Sequence, residues 1–279
     1  MSIVVIDNQM VHYEVFGRGR PVLFLHGWLG SWRYWFPTME VVAERFRTYS
    51  FDFWGFGDSR RKRTRESIQA YSEQVIRFLD ALGIDQVMLV GHSMGGMVAL
   101  KTAINHPERI RRVVTVGAPI DGDSLSWLLK LTDRPFLADV FAYTPFLRRL
   151  LFRFFLGQTS DPAVHEVIDD SVKSSADTLR YAVSSMWRTD LRPELSRLRV
   201  PALIIHGGRD DIVNPNQAEL FADVPMASIF TMPRSRHFPF LDEAPTFNEA
   251  LLHFLEMDPL APPQAAPPVA RAARSLPGH

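Results

Sequence analysis

The sequence predicts an α/β protein built on a doubly wound, mostly parallel sheet of eight strands with a helical insertion. Short apolar runs of strand length alternate along the chain with segments of helical period, which is the order of elements found in sheets with right-handed crossovers. These runs are continuous, as expected for strands that helices cover on both faces. With 279 residues, of which 46% are hydrophobic and 22% charged, the chain is long enough to bury such a core.

The first two of the eight strands are predicted to form a hairpin. Ile3 to Ile6 and Met10 to Val15 are rich in β-formers, and Asp7-Asn8-Gln9 supplies turn residues between them. Six further strands are predicted at Val22 to Leu25, Thr48 to Phe51, Gln86 to Val90, Val113 to Val116, Ala202 to Ile205 and Ile229 to Met232. Helical period is clearest over Thr64 to Leu82, Met94 to Asn105 and Thr246 to Leu255.

Residues 121–199 interrupt the alternation of strands and helices. This interval contains no clear strand, and leucine, phenylalanine, tryptophan and arginine recur in it at helical spacing. It is too long and too apolar for a connecting loop, so we expect a helical cap that packs on the main domain or forms a lid over a lipophilic pocket. The core domain would then comprise residues 1–120 and 200–257. Residues 258–279 are rich in proline and alanine and are expected to form a disordered tail.

Composition narrows the classes of partner. Lysine plus arginine is 31 and aspartate plus glutamate is 31, so the chain has no net charge, which argues against nucleic acid or an anionic membrane as the main partner. The absence of cysteine excludes disulfides, thiolate metal sites and cysteine nucleophiles. Residues 1–15 lack the features of a secretion signal, and no apolar run approaches the roughly 18 residues of a membrane span. We therefore expect a cytoplasmic protein without a membrane span, and the sequence indicates no oligomeric state.

The strongest chemical motif is Gly91-His92-Ser93-Met94-Gly95-Gly96. It follows an apolar strand and opens a helical segment, and a serine with glycines two residues away on both sides of such a turn forms a nucleophile elbow. The turn strains the serine backbone in a way that only small neighbours allow. The helix that follows directs its N-terminal dipole at the place where negative charge develops during acyl transfer. Ser93 is therefore the predicted nucleophile.

Two further motifs accompany the elbow. Leu25-His26-Gly27-Trp28 follows the third strand, and Asp52-Phe53-Trp54-Gly55-Phe56-Gly57-Asp58-Ser59 follows the fourth. Together with the elbow they resemble the oxyanion loop and the glycine-rich loop of the α/β-hydrolase fold superfamily, in a serine hydrolase with a helical cap. The resemblance covers roughly Ile3 to Leu255. It implies the α/β-hydrolase fold and a Ser-His-Asp triad, as in carboxylesterases.

A serine hydroxyl needs a base, and the chain order of this fold places the histidine after the last strand. His237 follows the strand Ile229 to Met232 and is the predicted base. His26 and His92 lie beside the site in motif positions where they are expected to organise loops.

The carboxylate that orients the histidine is expected after the strand Ala202 to Ile205. The family spacing of glycine, two residues and acid selects Asp210 when counted from Gly207, and Asp211 when counted from Gly208. The strand boundary and the apolar residues that follow favour Asp210.

The resemblance assigns the oxyanion hole to the backbone N–H groups of Trp28 and Met94. No cofactor or metal motif is present, so neither a cofactor nor a metal is expected. The predicted function is hydrolysis of a small lipophilic carboxylic ester through an acyl-enzyme.

Three alternatives remain within the fold. The first is a hydrolase of carbon–carbon bonds in ring-cleavage products, although such enzymes usually carry tryptophan after the catalytic histidine, where this chain has Phe238. The second is a perhydrolase or haloperoxidase, although these enzymes often have a Trp-Pro pair in the oxyanion loop, where this chain has Trp28 followed by Leu29. A ligand receptor without turnover is the third. Dehalogenases and epoxide hydrolases place aspartate at the elbow, and Ser93 argues against them.

Overall fold

The computed structural model describes residues 2–59, 66–134 and 168–257, with residues 136–137, 139–140, 144, 146–147 and 149–150 between the last two segments. The predicted tail at 258–279 lies outside the described residues. Eight strands form one sheet in the order β1-β2-β4-β3-β5-β6-β7-β8. The strand β2 pairs antiparallel with β1 and with β4, and the remaining pairs are parallel. The predicted fold class is therefore confirmed.

The strands lie close to their predicted positions. They are β1 Ser2–Ile6, β2 Gln9–Gly17, β3 Pro21–Leu25, β4 Arg47–Phe51, β5 Val87–His92, β6 Ile110–Val116, β7 Ala202–Gly207 and β8 Ala227–Met232. Every residue of β5 and of β7 is buried, which explains why these strands lack an alternating pattern. The largest error is at β6, which begins three residues earlier than expected. Arg112 interrupts the apolar run but is itself buried, with its guanidinium 5.2 Å from the Phe254 ring centre.

Seven α-helices are bounded within the described residues. They are α1 Phe36–Ala43, α2 Ile68–Ala81, α3 Met94–Asn105, α4 Trp127–Leu131, α5 Ala176–Arg188, α6 Pro239–Asp242 and α7 Ala244–Glu256. α2 packs against α3, and α1 packs against α7. The helix predicted from Thr64, a residue outside the described part of the chain, begins at Ile68, since the Ser67 hydroxyl accepts the N–H of Ala70 and caps it there.

The insertion, by which we mean residues 121–199 between β6 and β7, contains helices joined by turns and two isolated β-bridges in its described part. It contains α4 and α5 and two short 3-10 helices, Gly122–Ser124 and Arg192–Arg197. Several of its large apolar side chains are exposed, among them Trp127, Phe136 and Phe146. That these residues form a separate cap stays a prediction. A helix with the length and apolarity of a membrane span is not found in the described segments.

Candidate active site

The Ser93 elbow joins β5 to α3 at the carboxyl ends of the parallel strands. Ser93 has φ 52° and ψ −117°, a left-handed backbone conformation that L-residues rarely adopt. A Cβ on Gly91 would collide with the backbone of Gly95, and a Cβ on Gly95 would collide with the backbone of Leu25. The glycines at both flanking positions are therefore required by close packing. This packing holds the strained serine in place.

His237 and Asp210 form a buried pair near the elbow. His237 Nδ1 lies 2.8 Å from Asp210 Oδ2, while Asp210 Oδ1 accepts the N–H groups of Ile212 and Val213, each at 2.9 Å. Burial alone would raise the pKa of the Asp210 carboxyl. The charge of His237 and hydrogen bonds from His206 and His237 outweigh burial and hold that pKa well below its ordinary value. Asp210 is therefore an anion at neutral pH.

Asp211, the competing candidate for the acid, occupies a different environment. Its side chain is exposed, whereas Asp210 is buried. His206 adds a second contact to Asp210, with Nε2 lying 3.3 Å from Asp210 Oδ2 and 3.4 Å from the carbonyl oxygen of Val213. The structure thus pairs Asp210, and not Asp211, with His237.

The end of β6 brings Ser93 and the His237–Asp210 pair together. The N–H of Ser93 donates to the carbonyl of Val116 at 2.8 Å. The next residue, Gly117, lies against the pair, since a Cβ there would be 3.3 Å from both His237 Nδ1 and Asp210 Oδ2. The Ser93 hydroxyl makes no hydrogen bond to any described residue, and neither does His237 Nε2. Catalytic hydrogen bonds are often long without substrate, so both atoms remain available for a reaction.

A chain of hydrogen bonds links the loop after β3 to the backbone of His237. The N–H of Gly27 donates to the Tyr34 hydroxyl, which lies 3.2 Å from His92 Nδ1. His92 Nε2 in turn lies 2.9 Å from the carbonyl oxygen of His237. Burial, helped by the charge of His237, lowers the pKa of His92 well below its ordinary value, so His92 is neutral and can donate at Nε2 and accept at Nδ1. This chain agrees with the loop-organising role expected for His92.

His26 organises the loop after β4. Its Nε2 accepts the N–H of Phe53 at 3.0 Å, and its Nδ1 lies 2.8 Å from the carbonyl oxygen of Gly27. Burial lowers the pKa of His26, which favours the neutral ring that these two bonds require.

Tyr34 was not predicted from the sequence as a residue of the site. A tyrosine seven residues after Gly27 carries no local pattern that reveals the contact.

The two residues predicted to supply the oxyanion donors lie at the start of α3 and in the loop after β3. Met94 is the first residue of α3, and its N–H makes no hydrogen bond to the described residues. The loop that carries Trp28 passes directly beside the elbow, since a Cβ on Gly27 would lie 3.1 Å from Ser93 Cβ. The Trp28 indole Nε1 donates to the carbonyl of Leu179 at 3.1 Å, which ties this loop to α5 of the insertion.

Two further polar features do not include any residue of the predicted triad or oxyanion hole. A cavity of about 700 Å³ opens at the amino ends of the strands and is lined by Arg20, Arg47, Arg111 and neighbouring residues, none of them a candidate named above. His12, Asp52 and Asp58 have potential metal-ligand atoms within 4.8 Å of one another. Asp52 accepts two backbone N–H groups and Asp58 pairs with Arg33 and Lys173, so protein donors already surround these carboxylates.

Comparisons with known proteins identify the family. The sequence matches the family described as alpha/beta hydrolase fold over residues 20–244. It is 28% identical over 257 residues to a pimeloyl-(acyl-carrier protein) methyl ester esterase of Vibrio cholerae, covering 88% of this chain and 97% of that protein. It is also 28% identical over 253 residues to the dihydrolipoyllysine-residue acetyltransferase component of an acetoin cleaving system of Pseudomonas putida. The match covers 87% of this chain but only 65% of the length of that protein.

Solved structures show the same fold. A bromoperoxidase from Bacillus anthracis superposes with a TM-score of 0.81 at 24% identity, covering 92% of this chain and 99% of that one. At this level of identity the likeness concerns the fold and not the activity.

Proposed function

The chain belongs to the alpha/beta hydrolase fold family, and we propose that it is a serine hydrolase that cleaves carboxylic esters through an acyl-enzyme intermediate. The observation that carries this proposal is the strained Ser93 elbow beside the hydrogen-bonded pair of His237 and Asp210. Such an arrangement supplies a nucleophile, its base and the group that orients the base. The Vibrio cholerae relative, an ester-cleaving enzyme by its name, supports the same chemistry.

In the first half-reaction, Ser93 Oγ attacks the carbonyl carbon of the ester while His237 Nε2 takes the hydroxyl proton. Asp210 keeps the proton of His237 on Nδ1 and stabilises the imidazolium that forms. The carbonyl oxygen becomes an oxyanion, which accepts hydrogen bonds from the N–H groups of Met94 and Trp28. Each such donor stabilises the transition state by about 3 kcal/mol.

In the second half-reaction, the acyl-enzyme is hydrolysed. The tetrahedral intermediate collapses, the alcohol leaves with the proton of His237, and the acyl group stays on Ser93 Oγ. His237 then takes a proton from water, whose oxygen attacks the acyl carbon, and the carboxylic acid leaves as the proton returns to Ser93. The same two donors serve both tetrahedral intermediates.

The substrate we propose carries a hydrophobic acyl or alcohol group. Support comes from the apolar composition of the insertion and from its direct contact with the oxyanion loop through Trp28 and Leu179. An apolar wall beside the reacting carbonyl favours a lipophilic group and excludes water from the oxyanion.

The test is steady-state hydrolysis of p-nitrophenyl esters of increasing acyl length by the wild type and by Ser93→Ala. We expect kcat/KM to fall at least about 10⁴-fold in Ser93→Ala, because the nucleophile is lost while binding remains. Ser72→Ala is the matched control, since Ser72 is also buried but accepts a hydrogen bond from Thr102 within the helical layer. It should keep kcat/KM within about threefold of the wild type.

The chain-length optimum would measure the size of the acyl pocket. A folded wild type that hydrolyses no ester of any length would contradict the proposal. Ring-cleavage products, peracid formation and ligand binding without turnover would then be assayed with the same two variants.

A further inference from the structure

Four charged side chains close a ring between the insertion and the loops that follow β3 and β4. Cations and anions alternate around this charge ring, in the order Arg33, Asp170, Lys173, Asp58. The N–O distances in that order are 2.6 Å, 2.5 Å and 2.7 Å, and 3.0 Å from Asp58 back to Arg33. The loops contribute one cation and one anion, and the insertion contributes the other two. Each charge therefore has a partner on both sides of the contact.

The charge ring differs from an ordinary surface ion pair in its burial. Asp170 is only 3% exposed, and the other three side chains are 18–25% exposed. Burial alone would raise the pKa of the Asp58 carboxyl, but hydrogen bonds from Lys173 and Arg33 outweigh burial and lower it. Exposed pairs are weak because water screens them, whereas removing one member of a buried set leaves an uncompensated charge. The charge ring is thus a strong contact only while all four members are in place.

The two loops that carry Arg33 and Asp58 are themselves joined by a buried carboxylate. Asp52 Oδ1 accepts the N–H of Trp32 at 2.8 Å, and Asp52 Oδ2 accepts the N–H of Asp58 at 2.8 Å. The loop side of the charge ring is therefore one connected unit.

This unit is hydrogen-bonded to the oxyanion loop, which carries Trp28. Arg33 lies in the short 3-10 helix Trp32–Trp35, and the neighbouring Tyr34 hydroxyl accepts the N–H of Gly27, the residue before Trp28. On the other side, α5 begins three residues after Lys173, and its Leu179 carbonyl accepts the Trp28 indole. Trp28 is therefore fixed at two points: the N–H of the preceding residue, Gly27, is bonded to Tyr34, and the Trp28 indole is bonded to Leu179. Tyr34 is adjacent to Arg33 and α5 follows Lys173, so each connection includes a neighbour of one member of the charge ring.

We propose that the charge ring docks the insertion onto the core and thereby sets the position of the Trp28 N–H. Its four members are then positioning residues for the reaction, and they touch neither the substrate nor the reacting atoms. This inference rests on the proposed function for the role of the Trp28 N–H. A ring that only stabilised the fold would leave the oxyanion loop and kcat unchanged when it is broken.

The first test measures hydrogen–deuterium exchange by mass spectrometry and needs no activity. We expect Lys173→Met to speed amide exchange at least about tenfold both in residues 27–35 and in residues 176–188, with β5 unchanged. Lys173→Arg keeps the charge and should stay close to the wild type. Arg45→Met is the control, because Arg45 pairs with Glu256 of α7 at 2.5 Å on the surface of the core domain, and no ion pair joins it to the described part of the insertion.

Unchanged exchange in residues 27–35 of Lys173→Met would overturn the proposal, whether or not residues 176–188 exchange faster. Equal acceleration in Arg45→Met would also overturn it, because the effect would then be general loosening.

The second test compares kcat and KM for p-nitrophenyl acetate, a substrate too short to need a large pocket. We expect kcat of Lys173→Met to fall about tenfold, with recovery in Lys173→Arg, because a displaced oxyanion donor acts on the transition state. Adding Asp58→Asn to Lys173→Met should lower kcat little further, since the ring is already open. An unchanged kcat would contradict the proposal. If the wild type hydrolyses no ester, the proposed function fails, while the exchange experiment still decides the role of the charge ring.

Discussion

Two of the buried histidine–aspartate pairs in the described part of the chain differ in what the second ring nitrogen faces. In the first pair, His237 Nδ1 lies 2.8 Å from Asp210 Oδ2, and Nε2 makes no hydrogen bond to a described residue. In the second, His12 Nδ1 lies 3.4 Å from Asp52 Oδ2, and Nε2 lies 3.1 Å from Glu14 Oε1. Both aspartates are fully buried and accept two backbone N–H groups. The carboxylate alone therefore does not distinguish the pairs.

A general base needs a ring nitrogen that can accept a proton from the nucleophile. His12 offers none, because both of its nitrogens face carboxylates that favour the protonated ring. A serine is present in each place, but the hydroxyl of Ser59 accepts the N–H of His12 at 2.8 Å, whereas Ser93 sits at the strained elbow. An aspartate, a histidine and a nearby serine therefore make a catalytic candidate only when one imidazole nitrogen and the serine hydroxyl are free of other hydrogen bonds.

The same substitution at the two histidines gives the largest expected contrast. His237→Gln removes the base, so we expect kcat for p-nitrophenyl esters to fall about 10⁶-fold, as for loss of the histidine in other serine hydrolases. His12→Gln should leave kcat within about threefold of the wild type, since His12 takes no part in the reaction. Steady-state kinetics on both variants, with circular dichroism as a check on folding, measure the difference. A similar fall of kcat in both variants would contradict the assignment of His237, and not His12, as the base.

A smaller contrast separates the two adjacent aspartates of the acid loop. Asp210→Asn keeps the size of the side chain but removes the charge that orients and stabilises the imidazolium, so kcat should fall about 10⁴-fold. Asp211→Asn changes an exposed side chain and should leave kcat within about twofold. Burst kinetics with p-nitrophenyl acetate can assign the loss to acylation or to hydrolysis of the acyl-enzyme. A larger loss in Asp211→Asn would show that the acid loop rearranges when substrate binds.

The fold and the motif residues could be predicted because their signals are local. The parallel strands are short continuous apolar runs, and the elbow needs small residues at fixed spacing around Ser93, so both leave a pattern in the sequence. Spacing alone allowed Asp210 or Asp211 as the acid, and the strand boundary and the apolar residues that follow favoured Asp210 without showing which side chain is buried. Only the structure shows that Asp210 faces His237.

The contacts between distant parts of the chain left no such pattern. Arg33 and Asp170 are 137 residues apart, and an isolated arginine or aspartate in a polar segment has the same appearance whether it is exposed or paired. Tyr34 was missed for a similar reason, since its role depends on the fold of the loop around Gly27 and His92. What the sequence could not predict is therefore the set of polar contacts that positions the predicted residues.

The smallest expected effect concerns the proton on His12. Burial lowers the pKa of His12, but Asp52, Glu14 and Asp58 together outweigh it, so its pKa in the folded protein is raised above the ordinary value of about 6.5. A raised folded-state pKa means that the stabilisation is complete below about pH 6.5 and is lost as the pH rises through the folded-state pKa.

The difference in free energy of unfolding between the wild type and His12→Gln should therefore be greatest below about pH 6.5 and shrink as the pH rises above that value. Urea unfolding of both proteins at several pH values measures this difference, and the contributions of titrating groups that do not interact with His12 cancel between the two. A difference that stays constant with pH would mean that folding does not shift the pKa of His12, and one that grows as the pH rises would mean that the ring is neutral in the folded protein. A neutral His12 would keep a ring nitrogen able to accept a proton, and only the bonded hydroxyl of Ser59 would separate this pair from the catalytic candidate.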